Sequence, residues 1–416
     1  MTVQDIKKTA LVSLWFVFLT FPIMVIRVNT ITQTVVWRWH NMLYIGLGTF
    51  FGGLLWRFAL SRRSQGAKQK VKTDDETPDL GEALAADGGW KEKLLVLART
   101  PVLRKGAMVA LLVAALIFPL VGSLYQTNIM ISALIYVILA LGLNIVIGLG
   151  NMLHLGYIAF FAVGAYTYGL LHHYFGLGFW FALPLGALFS MVAGVLLALP
   201  VLRLRGDYLA IVTLGFAEIV RIVLNNAREL TGGPAGISGI ARPSFFGVTM
   251  NLSQVSTYIY YIVLGAVVLT VFVVWRFENS RLGRALVAMG EDEIAAEAMG
   301  IDIARTKLTA FALGSLWAGA AGVIFASRTA FINPASFTVW QSIIVLSCVV
   351  LGGMGSIPGV IIGALGLILI PEYLRAFSDY RMLIFGAVLV VMMVFRPGGL
   401  IQKKRRAYTF HGEAQE

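Results

Sequence analysis

At 416 residues, 58% hydrophobic and only 13% charged, with a mean hydropathy of +0.81, the chain carries more apolar surface than a soluble domain can bury, which excludes a water-soluble enzyme or binding module. The net charge of +12 is carried by Lys and Arg set beside apolar runs, where they fix topology and meet anionic headgroups, so nucleic acid is not the partner they imply. The single cysteine, Cys348, lies in an apolar run and excludes an intrachain disulfide or a cysteine metal cluster.

Apolar runs fall at Ala10–Val25, Met42–Leu60, Gly106–Tyr125, Ile129–Gly148, Leu153–Leu171, Phe179–Leu202, Tyr208–Leu224, Thr257–Phe277, Leu308–Ala326, Val339–Leu351, Val360–Leu374 and Met382–Phe395. Read against about 20 residues per span, they predict an all-α polytopic membrane protein with about 10–12 transmembrane or re-entrant helices. The shorter runs, Val339–Leu351 and Val360–Leu374, are the candidates for half-helices. Lys7/Lys8, Arg62/Arg63, Arg203/Arg205, Arg281/Arg284 and Lys403–Arg406 share one side if the N-terminus is cytoplasmic. The C-terminus is then cytoplasmic too, and Arg27 and Arg38 are the exceptions. The organisation expected is an N-terminal two-span extension (1–60), a polar linker (61–104), a membrane core (105–400) and a basic tail (401–416). Leu141–Ala165 and Val345–Leu365 share a rhythm of an apolar run meeting a Gly cluster, as an internal duplication would produce.

The longest patterned interruption is Glu278–Lys307. Arg281 and Arg284 sit one turn apart, and Gly290 is expected to break that helix. Asp292 can cap a second short helix, Glu293–Met299, and Gly300 can end it in the left-handed conformation. Ala295, Ala296 and Ala298 would let another surface approach closely. Two readings follow from composition: an amphipathic connector on the bilayer, or a rigid knob offered to a soluble partner.

Four further groups carry chemical potential. Glu218 and Arg221, at i and i+3 inside an apolar run, can pair as a structural clamp or stand beside a substrate path. Thr231-Gly232-Gly233-Pro234-Ala235-Gly236-Ile237 reads as a tight external turn or as backbone N–H groups offered to a carboxylate. Asn151 and His154 lie where Gly148, Gly150 and Gly156 free the backbone, and are pore-lining candidates or packing groups. Gly355–Gly359–Gly363 and Ala318–Gly322 are helix-packing spacings. No P-loop is present, so the chain does not hold its own ATP, and its five histidines show no metal spacing. No cofactor is expected.

Ile294-Ala295-Ala296-x-x-x-Gly300 resembles the EAA loop of ATP-binding-cassette importer permeases, with Ile294 where the general motif has Glu and without its hydrophobic-Pro ending. The run RALVAMGEDEIAAEAMGI is similar to the LivM-type permease of high-affinity branched-chain amino acid importers. So are Gly206-Asp207-Tyr208 with Thr213-Leu214, the TGG stretch, Leu351-Gly352-Gly353-x-Gly355-Ser356 and Arg396-Pro397-x-Gly399-Leu400, in the same order. The resemblance covers roughly Lys105–Leu400. It implies alternating access in the bacterial cytoplasmic membrane, with a second homologous permease subunit, two ABC ATPase subunits and a periplasmic substrate-binding protein. Leucine, isoleucine and valine are the substrates it implies. Arg281, Arg284, Asp292, Glu293, Ala295, Ala296, Glu297, Gly300 and Ile301 would then couple to the ATPase. The competing class is an ion-coupled secondary transporter, for which Glu218 is the candidate coupling group.

Overall fold

The computed structural model describes residues 26–29, 34–37, 112–202, 204, 206–243, 251–373, 386, 387, 389, 390, 392, 394, 396 and 398–401. The chain divides into two units, Met1–Arg104 and Lys105–Glu416. In the first, β1 (Ile26–Asn29) and β2 (Thr34–Trp37) form an antiparallel ladder, Ile26 opposite Trp37 and Asn29 opposite Thr34. Val28, Thr34, Val35 and Val36 are β-branched, which suits a pleated ribbon. In the sequence this stretch stands out only through Arg27 and Arg38, the exceptions to the charge pattern. The two apolar runs that flank the ribbon, the polar linker and the basic tail lie outside the described residues.

The second unit is helical. α1 (Leu112–Val121) leads to α2 (Leu124–Asn144), which opens on a capping box: the Gln126 backbone N–H donates to Ser123 Oγ at 3.3 Å, and the Ser123 N–H donates to Gln126 Oε1 at 3.0 Å. α2 ends in a π-helical turn, Ile145–Leu149, a geometry that recurs at functional sites. Residues 150–157 are not helical, and α3 runs Ile158–Phe175. The expected helix over Leu153–Leu171 therefore begins five residues late. Asn151 stands in the left-handed region (φ 52°), and a methyl group on Gly156 would lie 1.9 Å from the Thr213 carbonyl oxygen. The backbone there is packed against a neighbouring helix instead of coiling.

α4 (Phe179–Val201) and α5 (Asp207–Asn226) follow. A short link holds α6 (Arg228–Thr231) and β3 (Ile237–Ser238). α7 (Leu252–Glu278) is capped by Asn251 and Gln254. After α8 (Arg281–Glu291) and α9 (Glu293–Ala298) comes α10 (Ile303–Thr329), the central helix, buried against α2, α3 and α4. Small residues make that packing possible: a methyl on Gly164 would stand 2.2 Å from the Gly319 carbonyl oxygen, and one on Gly322 would stand 2.2 Å from that of Phe161. β4 (Phe331–Ile332) returns to pair with β3, Ile237 opposite Ile332.

α11 (Val339–Gly352) and α12 (Ile357–Tyr373) close the described core as a hairpin. At about 1.5 Å per residue α11 is about 21 Å long, short of a hydrocarbon core of about 30 Å. Tyr136, midway along α2, hydrogen-bonds to Gln341 in the first turn of α11, so α11 starts beside the middle of α2 and not beside its end. The turn that precedes α11 extends this stretch to Pro334–Gly352, an apolar stretch of 19 residues. Five described stretches are long and apolar enough to cross a bilayer: Leu124–Leu149, Phe179–Val201, Ser253–Glu278, Ile303–Thr329 and Pro334–Gly352. The protein is an all-α polytopic membrane protein.

The two Gly clusters with a shared rhythm meet in space. The Gly355 N–H donates to Asn144 Oδ1 at 2.9 Å, and a methyl on Gly148 would lie 2.4 Å from the Gly355 nitrogen. Asn144 is 1% exposed, so this bond joins the π-turn of α2 to the α11–α12 turn inside the protein.

Candidate functional site

The segment joining α7 to α10 is built from local caps. The Ser280 hydroxyl accepts from the Gly283 N–H at 3.1 Å and starts α8. α8 is amphipathic: Gly283, Leu286 and Met289 are buried while Arg281 and Arg284 face outward, Arg284 donating to the Asn279 carbonyl at 2.9 Å. Gly290 does not break it. The helix continues to Glu291, and Gly290 is where it touches the end of α2, a methyl there falling 2.9 Å from the Leu149 carbonyl oxygen.

Asp292 then caps α9, its Oδ1 accepting from the Ile294 and Ala295 N–H groups at 2.9 and 3.0 Å. Gly300 ends the turn at φ 83°, with the Ile301 N–H donating to the Ala296 carbonyl at 3.1 Å. α9 is thus held at both ends by its own sequence. Ala295, Glu297, Ala298 and Met299 are exposed, Ile294 is 68% exposed and Met299 83%. Ala296 is the exception at 5%. It was expected to meet a partner and instead packs inward, because a six-residue helix can turn only one narrow face to its own chain.

Behind that face lies an ion pair. Glu293 Oε1 is 2.5 Å from Lys307 Nζ, with the two side chains 19% and 5% exposed. Lys307 Nζ also donates to the Leu202 carbonyl at the end of α4, at 3.3 Å. One ammonium therefore ties together α9, α10 and α4. In the sequence alone, Lys307 marks only the end of the polar segment. The available signal was a lysine one turn inside a long apolar helix, where an unpaired charge is costly.

The remaining candidates do not converge. Asn151 Nδ2 donates to the Gly290 carbonyl at 3.3 Å, so Asn151 belongs with the end of α8. His154 is 1% exposed, and its ring lies 5.3–5.9 Å from those of Tyr157, Phe160 and Phe311. Neither of its ring nitrogens has a hydrogen-bond partner, which is the environment of an aromatic core and not of a pore wall. Arg221 donates to both carboxylate oxygens of Glu218, Nε lying 3.0 and 3.1 Å from them, on a partly exposed face of α5. In the TGG stretch, Thr231 Oγ1 accepts from the Gly233 N–H, while the N–H groups of Gly232 and Gly236 donate to Arg228 and Gly233 carbonyls. All three glycine N–H groups are used within the turn. Gly236 itself lies against β4, a methyl there falling 2.0 Å from the Ile332 carbonyl oxygen.

Bilayer-length apolar helices, joined by a polar, locally capped knob fastened to the central helix, define a polytopic membrane protein. The chain belongs to the family described as branched-chain amino acid transport system / permease component, whose model matches residues 125–393. It is 46% identical over 348 residues to the high-affinity branched-chain amino acid transport system permease protein LivM of Salmonella typhimurium, covering 79% of this chain and 82% of that protein. The Escherichia coli LivM is 45% identical over the same length and shares. The autoinducer 2 import system permease protein LsrC of an Enterobacter strain is 26% identical over 324 residues, 74% of this chain and 86% of that one. No solved structure matches.

Proposed function

We propose that this chain is the membrane-spanning permease subunit of an ATP-driven importer of leucine, isoleucine and valine. The observation that carries the reading is α9. It is a rigid, capped knob with exposed Ile294 and Met299, fastened through Glu293 to the helix at the centre of the bundle. A transporter driven through the membrane alone has no use for such a part, whereas one driven by a soluble ATPase needs it. The ATPase closes on nucleotide, carries α9 with it, and Lys307 passes the movement to α10 and α4. Swinging a gate from 1:99 to 99:1 takes about 5.5 kcal/mol, which bound ATP on a separate subunit supplies.

The assembly proposed has a second homologous permease, two ATPases and a periplasmic binding protein. It sits in the bacterial cytoplasmic membrane with α9 and both termini in the cytoplasm. Arg281, Arg284, Asp292, Glu293, Ala295, Glu297, Gly300 and Ile301 form or support the docking surface, with Ala296 packed beneath it. The ion-coupled alternative rests on Glu218, whose carboxylate is already engaged by Arg221. Purification of the tagged chain from its native membrane, with mass identification of the retained subunits, tests the proposal. An ATPase and a second permease are expected, and isolation of the chain alone in a transport-competent state would contradict it.

A further inference from the structure

The other end of α10 carries a second constellation. Two cavities, of about 280 and 210 Å³, lie at the end of the bundle remote from α9, and Arg328 lines both. Arg328 is in the last turn of α10, where the helix dipole favours a cation. Its Nη1 donates to Ser132 Oγ at 2.6 Å and its Nη2 to the Asn128 carbonyl at 2.9 Å, both on α2. Those bonds use two of the five N–H donors of a guanidinium and none goes to a charge. Among the described residues Arg328 has no carboxylate partner. Arg242 lines the second cavity beside it, also without one among the described residues.

Two guanidinium groups facing one recess, with donors to spare, form a receptor for an oxyanion. Were Arg328 only a clamp between α10 and α2, a neutral amide would make the same two bonds without the cost of desolvating a charge. The rest of the lining adds specificity. Ile129 and Ile368 wall the first cavity and Ile259 the second, so each offers apolar surface beside the cation. Glu372, which accepts a hydrogen bond from Tyr125 at 2.5 Å, lines the first cavity too. A cation, an acid and branched apolar walls around one cavity match a zwitterion with an aliphatic side chain. We propose that Arg328, assisted by Arg242, binds the carboxylate of the free aliphatic amino acid at the mouth of the permease opposite the coupling helix. This rests on the transport reading above and adds a residue-level substrate site to it.

The phosphate of a lipid headgroup shares the oxyanion chemistry, so the test separates the two. The complete permease–ATPase complex, without binding protein, is placed in phosphatidylcholine nanodiscs and titrated with radiolabelled leucine. Saturable binding at millimolar leucine is expected, with leucinamide, which lacks the carboxylate, competing at least tenfold more weakly than unlabelled leucine. Arg328→Gln is expected to weaken leucine binding at least tenfold, and Arg328→Lys by less, in complexes that still co-elute with the ATPase. Equal competition by leucinamide, undiminished binding by Arg328→Gln, or no saturable binding by the parent would each overturn the inference. The leucinamide comparison needs no variant and stands even if Arg328→Gln fails to fold. Loss of leucine binding in phosphatidylglycerol nanodiscs, with Arg328-dependent retention of that lipid in native mass spectra, would assign the site to a headgroup and overturn it as well. Uptake by the parent complex with its binding protein, measured in parallel, distinguishes failure of this site from failure of the transport reading.

Discussion

Replacing Lys307 by methionine removes the ammonium that joins α9, α10 and α4 while keeping an unbranched stem of similar length. Lys307 is 5% exposed and its Glu293 partner 19%, so solvent does little to screen the pair. Removing one partner of a buried ion pair costs about 3–5 kcal/mol, mostly because the other charge is left without compensation. That is comparable with the about 5.5 kcal/mol needed to swing a gate fully, so a chain lacking the strut should no longer convert nucleotide closure into a complete gate movement. Lys307→Met should lower leucine uptake per ATP hydrolysed at least tenfold in proteoliposomes containing the whole importer. Adding Glu293→Gln removes the stranded carboxylate and should recover part of the loss in folded yield but not the coupling, since the strut is still missing. A double-mutant cycle in thermal stability measures the pair directly. Lys307→Met complexes that assemble and transport with the parent's stoichiometry would refute the reasoning.

Gly300→Val should also uncouple. No atom lies within 4 Å of a side chain added there, so the effect is confined to holding φ at 83°, about 1–3 kcal/mol, and Gly300→Asn should recover most of the ratio of uptake to hydrolysis. Met299→Asp should release the ATPase on co-purification while leaving the permease folded, because Met299 is 83% exposed. Ala296→Trp should instead reduce the yield of folded chain, because Ala296 is buried and overpacking costs about 1–3 kcal/mol. Deleting Met1–Arg104 should leave measurable uptake, since the ion pair, the caps and the Arg328 cavities all lie beyond it, and uptake assays on correctly inserted protein check this.

Asp292 and Gly300 were legible because a cap acts on backbone groups within four residues of itself, so the short helix could be placed to within one residue. The face it turns inward was not. Ala296 is 5% exposed, and the ion pair behind its helix reaches through Lys307 to the Leu202 carbonyl, far away in sequence. Gly290 misled for the same reason: glycine weakens a helix locally, but here the close approach of Leu149 and Gly150 to α8 requires it. The common rhythm of Leu141–Ala165 and Val345–Leu365 was visible as pattern, whereas the Asn144–Gly355 bond that joins them is a tertiary event. The apolar run ends at Ala326, two residues before Arg328, and only the continuation of the helix to Thr329 brings that guanidinium into its cavities.

In the proposed mechanism, ATP on a partner subunit drives leucine through this permease by way of α9. The most direct measurement is leucine accumulation in proteoliposomes holding the permease pair and the ATPases, with binding protein on the side opposite α9, ATP on the α9 side and all ion gradients collapsed by ionophores. Accumulation that requires ATP and persists without ion gradients is predicted. Accumulation that ignores ATP and collapses with the proton or sodium gradient would contradict it.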